Sequence, residues 1–115
     1  MTTSAWAEWL YLVDGEDSTY YADYSSVERD GDKLYVWTMT DFHNSDTSML
    51  SSTHYRYIEC GIPRKYKFLS FNSFQESMGK GISESLDDQT VLQWRYPVPG
   101  TVGQIIVDTF CAMEQ

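Results

Sequence analysis

Most of this chain alternates apolar and polar residues with the period of two that marks strands. Lys33 to Phe42 (KLYVWTMTDF) shows it most clearly. Leu34, Val36, Thr38, Thr40 and Phe42 fall on one face, and Tyr35, Trp37, Met39 and Asp41 on the other. Large side chains on both faces predict that both are at least partly covered. Upstream, Trp6 to Val13 reads as a strand that the Asp14-Gly15-Glu16-Asp17 turn breaks. Ser18 to Tyr24 reads as a second strand, which Ser25 to Arg29 continues or pairs separately. Asp30-Gly31 is the strongest hairpin signal present. His43 to Thr53 is a polar stretch with six Ser and Thr and reads as a loop. His54 to Ile62 follows as a strand ended by Pro63. Tyr66 to Gln75 is another, with Tyr66, Phe68, Ser70, Asn72 and Phe74 on one face and Leu69 and Phe71 on the other.

Glu76 to Gln89 is a polar connection in which Ile82 begins an edge strand or pins the loop. Gln89 to Trp94 is short, and Pro97 and Pro99 stop any regular element after it. The period then changes. Val102, Ile105, Ile106, Phe110 and Met113 follow helical spacing, and Thr101 with Gln104 makes a capping-box pattern. A helix is therefore predicted from Gly100 to about Met113, with its apolar face on the sheet. Trp37 and Ile106 are expected core residues. The fold class expected is α+β: a meander of antiparallel strands and one C-terminal helix. No internal repeat or linker divides the 115 residues, so residues 1–115 read as a single domain.

Composition narrows the function classes. Eight Lys and Arg stand against 17 Asp and Glu, for a net charge of −9. That excludes a generic nucleic-acid backbone binder, which needs a basic footprint, and electrostatic docking on anionic lipid. A hydrophobic fraction of 42% is too high for a disordered acidic tail. No apolar run approaches the roughly 20 residues of a membrane helix. Met1-Thr2-Thr3-Ser4-Ala5 has neither a basic region nor an apolar core, so it is not a secretory signal as it stands. Either the chain is cytosolic or it is a mature segment with a replacement Met1.

Cys60 and Cys111 stand 51 positions apart, outside any C-x-x-C or Cys/His cluster. They read either as two buried thiols or as one disulfide of an exported protein. His43 and His54 lack metal-ligand spacing, and His43 with Ser45 and Ser48 lacks a nucleophile elbow. Both histidines read as structural. The turn carboxylates lack the calcium-loop pattern, and Gly79-Lys80-Gly81-Ile82-Ser83 lacks P-loop spacing. No catalytic residue, cofactor or metal site is expected. Aromatics make up 16% of the chain. They fill the core and cross-strand pairs, or an exposed subset forms an interaction surface. Arg64, Lys65 and Lys67 are the one basic cluster and read as edge-strand protection.

Several segments taken together resemble the surface-adhesin protein E family of exported Gram-negative proteins. They are Trp9 to Val13, Tyr21-Ala22-Asp23-Tyr24-Ser25-Ser26-Val27, the hairpin with Asp30, Gly31, Val36 and Trp37, Tyr57 to Cys60, Trp94 to Pro99, and a final helix ending in Cys111. The resemblance implies a sheet of about six strands with the C-terminal helix packed on it. It also implies a Cys60–Cys111 disulfide and a signal or lipoprotein segment upstream of Trp6. It points to a non-catalytic binding module of the periplasm, outer membrane or cell surface, acting on a host or envelope protein and able to form a homodimer. A periplasmic assembly protein that self-associates through a sheet edge is the alternative. A small-ligand carrier or enzyme is a third reading.

Overall fold

The computed structural model describes residues 8–43, 49–85 and 93–113. Six antiparallel strands follow one another as a meander: β1 (Leu10–Asp14), β2 (Ser18–Asp30), β3 (Lys33–Phe42), β4 (Ser51–Glu59), β5 (Lys65–Glu76) and β6 (Lys80–Ser85). One helix, α1 (Val102–Cys111), packs on one side of the sheet. The expected fold class is the one observed. Part of the strand expected from Trp6, and the residues from 86 to 92, lie outside the described residues.

The elements differ from the sequence reading in instructive places. Ser25 to Arg29 does continue β2, across a register shift between Asp23 and Glu28. The β2–β3 hairpin closes one residue later than Asp30-Gly31 suggests. Asp30 pairs with Lys33, so Gly31 and Asp32 form the loop, and Gly31 supplies the positive φ of 62° that its first position needs. The expected polar loop ends at Leu50, because Ser51, Ser52 and Thr53 are buried in β4 between β3 and β5. Their small hydroxyl side chains fit a crowded pair of ladders, and Ser51 donates to the Glu76 carbonyl. Ile82 lies on an edge strand and is exposed.

The larger correction is in β5. Tyr55 pairs with Ser70, but Arg56 pairs with Phe68, so Leu69 is an extra residue. This bulge reverses the alternation beyond it. Phe68 and Phe71 therefore share the helix side, their rings 6.3 Å apart and both against His54, while Ser70, Asn72 and Phe74 turn to the other side. Strict period-two counting had placed Phe71 opposite Phe68.

On the helix side, Ile106, Val107, Phe110 and Cys111 bury against Ala22, Leu34, Val36 and Ile58. Ile105, expected in this face, is 44% exposed, and Val107 takes its place. Thr101 caps the helix by accepting from the Gln104 amide, and the Gln104 side chain accepts in return from Gly100 N–H. The far end is held three ways. Cys60 and Cys111 form a disulfide with Cα atoms 5.5 Å apart. Arg29 donates to the carbonyls of Cys111 and Met113, placing a cation where α1 has no basic residue in its last turn. Arg64 pairs with Asp108 at 2.7 Å.

Beyond the helix the same side of the sheet buries Arg56 and His54. Arg56 has no ion-pair partner among the described residues. Its Nε donates to Thr38 Oγ1 at 2.8 Å, and its guanidinium lies 4.8 Å from the Phe68 ring centroid and 5.4 Å from that of Tyr66. Ring faces thus replace a carboxylate. Burial lowers its pKa to about 10, which leaves it charged at neutral pH. His54 sits between Phe68 and Phe71, with Nε2 at 3.2 Å from Ser52 Oγ. Burial, helped by Arg56, lowers its pKa to about 3.

Two outcomes follow from this packing. Cys111→Ser is expected to cost about 2–5 kcal/mol, since the bridge closes a long loop. Thermal melting with and without reductant tests this, and an unchanged melting temperature would refute it. His54 is neutral in the fold above about pH 3, whereas unfolded His takes up a proton near 6.5. Between those values the unfolded state holds more protons. The His54 contribution is therefore complete above pH 6.5 and declines on acidification by up to about 1.4 kcal/mol per pH unit. In urea unfolding, the stability difference between wild type and His54→Gln is expected to shrink from pH 7 to pH 4. A constant difference would mean that His54 is protonated within the fold.

Candidate functional site

Among the described residues the side of the sheet away from α1 carries no α-helix. Its centre is an aromatic stripe built by cross-strand register. Trp37 pairs with Tyr55, and Tyr35 with Tyr57. Pairs directly opposite on one face approach closely enough to stack. The Trp37 and Tyr55 rings lie 5.0 Å apart, Tyr35 and Tyr55 6.1 Å, and Tyr35 and Tyr57 4.7 Å at only 10°. Trp94 extends the stripe, 5.3 Å from Tyr57. It is placed there because Arg95 makes a two-hydrogen-bond bridge with Tyr66 on β5. Arg95 accordingly turns to the helix side, 5.3 Å from Phe68, and its neighbour Trp94 to the open side.

One end of this face is covered. The turn Ser77–Gly79 folds over Met39, which is fully buried. Met78 N–H donates to Asp41 and Gly79 N–H to Ser51 Oγ. A Cβ on Gly79 would sit 3.4 Å from Met39 Sδ, so the turn is seated closely on the strand. No described element covers the other end, and all five stripe rings are half-buried. Tyr57 donates to Glu59 at 3.2 Å. Burial first, and the Glu59 charge next, raise the Tyr57 pKa; burial and then Glu28 raise that of Tyr55. Both phenols stay protonated donors on a face where a partner would meet them.

Charge divides this face. Asp23 and Glu28 flank the stripe on β2, opposite Trp37 and Tyr35. Lys65 and Lys67 flank it on β5, with Nζ atoms 4.4 and 4.5 Å from the Trp94 centroid. The basic cluster seen in the sequence is thus split. Arg64 is committed to Asp108 on the helix, while Lys65 and Lys67 serve the open face.

The other residues singled out in the sequence do not converge. His43 lies 2.6 Å from Thr19 Oγ1, and Ser45 and Ser48 fall outside the described residues. Gly79 to Ser83 form a turn and an edge strand. Among the described residues no three His, Cys, Asp or Glu gather as a metal-binding group, and no helix is long and apolar enough to cross a membrane. Two contributors escaped sequence reading. Trp94 sat in an unassigned connection, and its adjacency to Lys65 and Lys67 is tertiary. Arg56 was not singled out, and its burial beside Phe68 and Tyr66 is likewise tertiary.

A family model described as Surface-adhesin protein E matches residues 9–112. The chain belongs to the surface-adhesin protein E family. The crystal structure of protein E from non-typeable Haemophilus influenzae superposes with a TM-score of 0.64 over 96% of this chain and 80% of that one. Sequence identity is 16%, so that likeness concerns the fold. No curated protein sequence matches significantly. Family membership marks the chain as adhesin-like.

Trp37, expected in the core, lies on the open face, whereas Ile106 lies under the helix as expected. Ile106→Ala is expected to cost about 2–5 kcal/mol, and Trp37→Ala distinctly less because its site is already open to water. Denaturant titration of both variants checks this. Equal losses would show that a hidden element covers the open face.

Proposed function

We propose that this chain is a non-catalytic, exported binding domain that spans the whole sequence and docks a host matrix or serum protein on its open sheet face. The observation that carries the reading is the half-buried Trp37–Tyr55–Tyr35–Tyr57–Trp94 stripe on the side without a helix. Tyr and Trp are the residues in which interface energy concentrates, because they bring large rigid area and a polar tip. Stacked rings on neighbouring strands are also held in place before binding, which lowers the ordering cost. Family membership supports an adhesin-like role, and the disulfide supports an oxidising compartment outside the cytosol.

Self-association through a sheet edge has weaker support. β6 is six residues long, exposed throughout, and carries Lys80 and Glu84. β1 is five residues long with a register shift between Tyr11 and Val13. Short, charged or irregular edges resist pairing.

The test is surface-immobilised, disulfide-intact protein probed with a panel of matrix and serum proteins. Saturable binding to a member is expected, reduced at least about tenfold by Tyr35→Ser with Tyr57→Ser and unaffected by Ile105→Ser on the exposed helix surface. Binding that survives the double substitution, or no binding across the panel, would overturn the reading.

A further inference from the structure

We infer that the corner formed by Lys65, Lys67 and Trp94 is an anion-receiving subsite that takes the carboxylates of an acidic segment in a protein partner. This rests on the docking face proposed above and adds the partner's chemistry and direction.

The two lysines are residues i and i+2 of β5, so both project to the open side, and both ammonium groups reach the same indole. Lys67 Nζ also lies 5.7 Å from the Tyr57 ring centroid. A ring face attracts cations, but two like charges gathered at one ring repel each other. Within the described residues neither lysine forms an ion pair, the single one being Arg64–Asp108. Glu59, the strand partner of Lys65, instead accepts from the Tyr57 hydroxyl. The corner thus presents paired positive charge with a preset aromatic floor.

The chain's other cations sharpen the point. Its four arginines are all engaged: Arg29 on the α1 C-terminus, Arg56 in the core, Arg64 on Asp108 and Arg95 over Phe68. Of its four lysines, Lys33, Lys65 and Lys67 stand on the open face, and Lys80 on the β6 edge. In a chain of net charge −9, three of the four lysines therefore stand on the face that carries the stripe. Across the stripe stand Asp23 and Glu28. A uniform polyanion such as a sulfated polysaccharide would meet that acidic flank and the chain's overall negative field. A polypeptide can instead be acidic at one end and apolar beyond it. Its carboxylates would meet Lys65 and Lys67, and its apolar side chains would lie along Tyr57, Tyr35, Tyr55 and Trp37.

The experiment titrates isotope-labelled, disulfide-intact protein with three probes, read by NMR. They are a capped peptide with glutamates followed by phenylalanines, its glutamine counterpart, and a heparin octasaccharide. The acidic peptide is expected to shift the Trp94 indole N–H and the Lys65 and Lys67 amides. Lys65→Gln with Lys67→Gln is expected to weaken it about tenfold, and added salt to weaken it further. Equal affinity for the glutamine peptide, stronger binding of heparin, or an unmoved Trp94 signal would overturn the inference. The host-protein panel separates the two proposals. If Tyr35→Ser with Tyr57→Ser abolishes capture while the lysine pair does not matter, the docking face stands and the anion subsite falls. If neither pair matters, the docking face itself is wrong.

Discussion

Among the described residues a single α-helix has to serve a six-stranded sheet, and this inequality shapes the molecule. Ten helical residues span about 15 Å, and a helix is about 10 Å wide. Six strands at about 4.8 Å spacing spread over more than 20 Å. The helix can close over Leu34, Val36, Ile58 and Ala22, but not over the whole of its own side, and it cannot touch the other side at all. Everything else compensates. Arg56 and His54 fill the part of the helix side that α1 does not reach, held by aromatic rings rather than by aliphatic burial. The Ser77–Gly79 turn covers one end of the opposite face. The rest of that face is left to a stripe of rings that can tolerate partial wetting.

Such a helix must also be held against sliding or lifting. Its contact stripe is short, and helices of this length are marginal alone. The disulfide, the Arg29 contacts to the last carbonyls and the Arg64–Asp108 pair all act on its C-terminal half. The N-terminal end relies on the reciprocal Thr101 and Gln104 cap. The anchoring side chains come from the β2–β3 and β4–β5 ends of the sheet.

The strands, their order and the helix were legible because each depends on local periodicity, and Lys33 to Phe42 matches β3 residue for residue. The Thr101 cap was legible for the same reason. What could not be read was any feature set by pairing. The extra residue at Leu69 leaves no mark in a sequence where Phe68, Leu69 and Phe71 are all large and apolar, yet it decides which rings surround His54. The assignment of Trp37 failed because both faces of β3 carry large side chains, and only the location of the helix tells which one is dry. The stripe itself was half visible as an excess of Tyr and Trp, while its membership required cross-strand register and the bridge that brings in Trp94.

Cation chemistry explains why the open face differs from the rest of an acidic surface. Guanidinium is planar and weakly hydrated, so it can be buried against rings or locked onto carbonyls and carboxylates at modest cost. All four arginines are used that way. An ammonium is a compact, strongly hydrated point charge that keeps its head near water while its stem lies along an apolar surface. Lys65 and Lys67, both half-buried, instead bring their ammonium heads to the Trp94 ring. Neither ammonium is taken up by an ion pair among the described residues, whereas Arg64 is paired with Asp108 and Arg29 with the last carbonyls of α1. A net charge of −9 then works in favour of selectivity. It repels polyanions at a distance, and only a ligand whose negative charge is confined to one end gains at the lysine corner without losing at the Asp23 and Glu28 flank.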